Sequence, residues 1–139
     1  MSTLKAANIQ STTTGAPTFK TSTGTEIGHL AKAWVTMEAF NTVSIEDDFN
    51  VSSITDESTG HFVINFSTSL SNTNYAVIAS ATNYTNDDTI APVGVDASTA
   101  YTNSTGGVDL KSTSQVRIGC AGGSTAYDAY ELYAVVFGD

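Results

Sequence analysis

The chain is poor in cysteine, in positive charge and in long apolar runs, and each shortage removes a class of function. Its 139 residues contain one cysteine, Cys120, so an intrachain disulfide and a cysteine-based metal framework are both excluded. Flanked by Gly119 and Ala121 at the end of an apolar stretch, Cys120 is expected to be a buried, inert thiol. The bases are Lys5, Lys20, Lys32, Lys111 and Arg117, five scattered residues against fourteen acids, which gives a net charge of −9. Nucleic-acid binding by phosphate neutralisation needs clustered Lys or Arg, and an anionic membrane surface disfavours this charge. No apolar run approaches the ~18 residues that span a bilayer, and the N-terminus lacks a basic segment followed by an apolar one. The expectation is therefore no nucleic-acid partner, no membrane insertion and no secretory leader. Helical periodicity beyond one turn is missing too.

What is present is the material of one β domain. A chain of this length buries enough surface for one sizeable core, and 40% hydrophobic residues with only 14% charged argue against disorder. From Leu30 onward the apolar period is close to two, the mark of half-buried strands. Ala33, Val35 and Met37 alternate with Trp34 and Thr36, and Phe62, Ile64 and Phe66 alternate with His61, Val63 and Asn65. The turn-rich stretch from Asp56 to Gly60 joins a strand beginning at Phe49 to one ending at Phe66, predicting an antiparallel hairpin. Shorter alternations follow at Tyr75 to Ala81, Val93 to Val95 and Val116 to Ile118. Many short strands separated by polar turns predict an all-β, antiparallel, jelly-roll-like sandwich over residues 29–139.

Tyr130 to Phe137 is β-favouring on both faces, as for a strand covered on two sides. Leu132, Ala134 and Val136 fall on one face, and Tyr133, Val135 and Phe137 on the other. One face fills the core; the other, Tyr133, Val135 and Phe137, is assigned to a subunit interface. Residues 1–28 hold only isolated apolar side chains among Ser, Thr and Gly, so they are either a flexible tail or an extended arm that orders against a partner.

Catalytic patterns are missing from the sequence. The two histidines, His29 and His61, accompany no Gly-x-Ser-x-Gly elbow or other placed nucleophile, so the chain is read as a non-enzyme without a cofactor. The acidic pairs Asp47-Asp48, Asp56-Glu57 and Asp87-Asp88 lack calcium-loop spacing and are read as exposed turn residues, with no metal assigned. A Ca2+ site at Asp87 and Asp88, flanked by Asn83 and Asn86, is the residual alternative. Three loops join a tyrosine to small polar residues, the mixture that suits recognition and is also ordinary in sandwich loops. From these loops Tyr84, Asn86, Asp87, Tyr101, Asn103 and Tyr127 are the candidate receptor-binding residues.

Several segments together carry a resemblance: Gly15-Ala-Pro-Thr-Phe-Lys20, Gly24-Thr-Glu-Ile-Gly28, Lys32-Ala-Trp-Val35, Phe49 to Thr55, Phe62-Val-Ile-Asn-Phe66, Gln115-Val-Arg-Ile118 and Leu132 to Phe137. Taken together they resemble the C-terminal domain of tailed-bacteriophage fibre and other virion structural proteins, especially of marine phages. Met37 to Thr42 and Ile45-Glu46 depart from that pattern, so the surface of that hairpin is not carried over. The resemblance implies a homotrimeric fibre or fibre-tip module located in the virion, attached to other phage structural proteins through the arm and meeting a host cell-surface glycan or protein. A capsid decoration or cement protein is the alternative, suited to a small β domain with an arm and no repetitive shaft. In the fibre reading Trp34 is expected in the core.

Overall fold

The computed structural model describes residues 19–28, 30–82, 93–95, 111–122 and 125–138. Two units are distinguished, residues 1–30 and residues 31–139. In the first, β1 (Phe19–Lys20) and β2 (Glu26–Gly28) form an antiparallel hairpin with a register shift between Phe19 and Lys20. Its turn is closed by the Thr21 N–H donating to the Thr25 carbonyl at 2.7 Å, and Gly24 supplies a φ of 85° that side chains seldom adopt.

The second unit holds β3 (Ala33–Glu38), β4 (Ser44–Phe49), β5 (Val51–Ser58), β6 (His61–Phe66), β7 (Ala76–Ala81), β8 (Val93–Val95), β9 (Gln115–Gly122), β10 (Thr125–Ala126) and β11 (Glu131–Phe137). All described regular structure is strand, and every pairing is antiparallel. One sheet runs β4-β3-β11-β7; the other runs β10-β9-β6-β5, with β8 also paired to β9. Their facing side chains make the core: Ala33, Val35 and Met37 with Leu132, Ala134 and Val136 from the first, Phe62, Ile64, Phe66, Val116, Ile118 and Cys120 from the second. The expected antiparallel sandwich is the fold.

The chain passes between sheets at Asn50. Phe49 closes β4 and Val51 opens β5, so a single residue makes the corner, with a left-handed φ of 58°. Asparagine tolerates that region because its short polar side chain bonds locally. Here Asn50 Nδ2 donates to the carbonyls of Lys32 (2.9 Å) and Thr68 (3.1 Å), while Oδ1 accepts the Thr68 N–H at 2.7 Å. The strand expected to run from Phe49 to Ile54 is thus broken at its second residue. The hairpin β5-β6 itself is tighter than the sequence suggested: strand pairing runs through Asp56 to Ser58, and the turn is Thr59-Gly60. Asp47-Asp48 and Asp56-Glu57, expected in turns, lie in β4 and β5.

Trp34 is also corrected. Because Ala33, Val35 and Met37 take the inner face, Trp34 points to the opposite face and is half-buried. The core aromatics are Phe62, Phe66 and Tyr75. Tyr75 is 2% exposed, meets Phe66 edge-on with centroids 5.9 Å apart, and shares its phenolic proton between the carbonyls of Ser112 (3.0 Å) and Gln115 (2.9 Å). Lys111 Nζ covers it, donating to the Tyr75 carbonyl at 3.0 Å and lying 5.0 Å from the ring centroid.

Two expectations follow. Asn50→Ala loses three side-chain hydrogen bonds and places a β-carbon at positive φ, so it is expected to destabilise the fold by about 2 to 4 kcal/mol in denaturant unfolding. Asn50→Gly, which keeps the backbone free, is expected to lose less. Burial pushes the Tyr75 phenol up to about 12, against a smaller lowering from the Ser112 backbone. The unfolded phenol ionises near pH 10, so the contribution of Tyr75 is whole below pH 10 and falls away as pH rises to 12. An absorbance titration is expected to show one phenol ionising near pH 12 that is missing in Tyr75→Phe.

Candidate functional site

Of the loop residues singled out for recognition, Tyr84, Asn86, Asp87, Tyr101 and Asn103 lie outside the described residues, as do Asn83 and Asp88. Tyr127 is described. It is half-buried, directly after β10, and its N–H donates to the Cys120 carbonyl at 3.0 Å. The same corner holds the β5-β6 turn. Gly60 has a φ of 73°, its N–H donates to Asp128 Oδ1 at 2.6 Å, and its carbonyl accepts the Cys120 N–H at 2.8 Å. A β-carbon on Gly60 would come 2.5 Å from the Cys120 carbonyl oxygen and 2.8 Å from the Tyr127 nitrogen, so only glycine fits. Tyr127 therefore sits on a tied corner of the five-stranded sheet.

Cys120 belongs to the same corner and is fully buried. Its thiol is pushed up first by burial and second by the charge of Asp128. A raised thiol in a closed site is a poor nucleophile. A thiol reagent at mildly alkaline pH is expected to leave the native protein unmodified and to label one cysteine per chain once denaturant is added.

The larger candidate surface is the outer face of the four-stranded sheet. Strand parity brings Tyr133, Val135 and Phe137 to that face, all half-buried, as the sequence placed them. The register sets Phe49 beside Trp34, Trp34 beside Val135, and Val135 beside Ile78, so one apolar row crosses all four strands. Phe49 and Ile78, at its two ends, are 50% and 64% exposed. Strands about 4.8 Å apart put these ends roughly 14 Å from each other.

Phe49, Trp34 and Ile78 were not expected in this surface. Phe49 faces outward because Glu46 forms a bulge: Thr36 opposes Asp47 while Met37 opposes Ile45, so Ile45 turns inward and Asp47 and Phe49 turn outward. Ile78 did leave a signal, since it is the bulkiest side chain of β7 and falls out of phase with the inward Val77, Ala79 and Ala81.

Polar rows lie along one side of the apolar one. Next to it are Asp47, Thr36, Tyr133 and Ser80, and beyond them Glu38 and Glu131, which oppose each other. Tyr133 donates its phenolic proton to Glu131 Oε2, and this bond, the first cause, raises the phenol above its ordinary value. On the other sheet Arg117 points away from the core, is buried, and pairs through Nε with Glu57 Oε2 at 2.7 Å.

The described surface thus offers shape, apolar area and acidic charge. Among the described residues no three His, Cys, Asp or Glu side chains converge as a metal cluster. Comparison with known protein families, curated proteins and solved structures finds no match to this chain.

Proposed function

We propose that the chain is a structural subunit of a tailed-phage particle: a homotrimeric fibre or fibre-tip module in which the outer face of the four-stranded sheet is buried between copies. The observation that carries this reading is the apolar row Phe49, Trp34, Val135 and Ile78, which a monomer leaves open to water. Covering an exposed large apolar side chain yields about 1.5 to 3 kcal/mol; Phe49 and Ile78 are exposed and Trp34 and Val135 half-buried, so covering the row gives part of that for each and drives association. The segment resemblance supplies the phage assignment and the three-fold symmetry. Residues 1–28 would join the module to other virion proteins, and the Tyr-bearing loops would meet a host surface glycan or protein. Three copies of a weak site gain avidity without any further contact.

Native mass spectrometry is expected to give three chains, and image reconstruction of the particle to place them on a tail or head fibre. Ile78→Asp is expected to yield monomers with an unchanged circular dichroism spectrum and a melting midpoint lowered by the loss of assembly, because an exposed side chain contributes little to the fold of one chain. A wild-type chain that stays monomeric at micromolar concentration would sink the reading. Density on the capsid lattice would replace the fibre assignment with capsid decoration.

A further inference from the structure

A partner suited to the outer face of the four-stranded sheet presents an apolar side chain together with a positive charge. The apolar row ends on β4 at Phe49, and two residues earlier on the same strand and the same face stands Asp47, with Glu46 beside it in the bulge. Both acids are exposed. Cα atoms two apart in a strand are separated by about 6.6 Å, which a lysine next to an anchored aromatic spans easily.

The described residues are short of suitable cations. Arg117 is buried against Glu57, Lys111 is held over Tyr75, and Lys32 is half-buried at the approach to β3. Among the described residues Lys20 is the exposed cation, and Phe19 before it is an aromatic left 43% exposed. Both lie in the hairpin of β1 and β2, strands that pair with no other strand among the described residues. A two-stranded hairpin is at best marginally stable in water, so this one needs a surface to rest on.

We infer that the β1-β2 hairpin of one copy docks on the outer sheet face of a neighbouring copy, with Phe19 on the apolar row at its Phe49 margin and Lys20 directed at Glu46 and Asp47. This rests on the self-assembling reading above and names the contact that makes the assembly. Charge complementarity selects the occupant, because a chain of net charge −9 cannot lay another acidic face on this one without repulsion. The contact is heterologous, hairpin on face, so each copy both gives and receives one hairpin, and under the three-fold symmetry proposed above the assembly closes as a ring.

The test uses the full chain with Phe19→Cys and Phe49→Cys under mild oxidation, Cys120 being buried. Disulfide-linked species of two and three chains, reversed by reductant, are expected on non-reducing gels; Phe19→Cys with Ser53→Cys, on the other sheet, is expected to give none. As a second measure, Lys20→Glu is expected to weaken assembly about fivefold in a dilution series followed by light scattering, and adding Asp47→Lys to restore it. A disulfide formed within one chain would overturn the inference, by showing that the hairpin covers its own sheet. Absence of the Phe19–Phe49 link in a protein that still scatters as a trimer would overturn the contact and leave the assembly standing. A wild-type monomer would overturn both.

Discussion

The sandwich depends on one residue that must be in two places in the hydrogen-bond pattern at once. Asn50 turns the chain from the four-stranded sheet into the five-stranded one in a single left-handed step, and its side chain ties that step to Lys32 and Thr68. Its carbonyl also accepts the Ser67 N–H at 3.1 Å. Three chain segments, the approach to β3, the corner itself and the exit from β6, are thereby fixed together at the seam between sheets. Without the corner, β4 and β5 would continue as one long strand. Phe49 and Val51 would then face the same side, whereas the fold needs Phe49 outside and Val51 within the core.

Packing elsewhere follows from parity, with bulges as the points where parity is reset. β11 and β3 keep strict alternation over six paired residues, so their inner side chains interdigitate with those of β6 and β9. The bulge at Glu46 exchanges the faces of β4 midway, bringing Ile45 into the core and Asp47 and Phe49 out of it. At the far end Tyr75 fills the space beneath Gly138, where a β-carbon would come 2.6 Å from the Tyr75 β-carbon. The phenol reaching Ser112 and Gln115 then ties the entry of β7 to the entry of β9. A ring buried this deeply is affordable only because its one polar atom is satisfied.

The period-two alternations were legible in the sequence and led to the right class, to the strands around Ala33, Phe62, Tyr75, Val93, Val116 and Leu132, and to the division of β11 into two faces. Two kinds of feature were not. A corner or a bulge changes facing without changing composition, so Asn50 and Glu46 read as ordinary strand residues while deciding where Phe49 points. Amphipathic strands with a large residue on either face are ambiguous as well: Trp34 outweighs Ala33 and Val35 in size, yet the smaller pair is inside because β11 and β3 pack their small residues between the sheets. The turn at Gly60 is narrower than composition suggests, since Asp56 and Glu57 favour turns by type, yet Asp56 pairs with Phe62 and Glu57 is the extra residue of a bulge within β5. The recognition loops have only composition to mark them in the sequence, and of their candidate residues Tyr127 is the one the structure describes.

The two margins of the four-stranded sheet differ in charge and regularity. The β4 margin carries Glu46, Asp47 and Asp48 together with a bulge, the devices that discourage edge-to-edge strand pairing. Two such margins repel each other. The β7 margin has no charge from Ala76 to Ala81 and pairs in unbroken register with β11. The guarded edge and the apolar row put the apolar area of this sheet on its face and not on its β4 margin. The same acids that exclude a like-charged strand at the β4 margin attract a cation there. One set of residues thus opposes sheet extension and sets a negative potential beside an apolar surface.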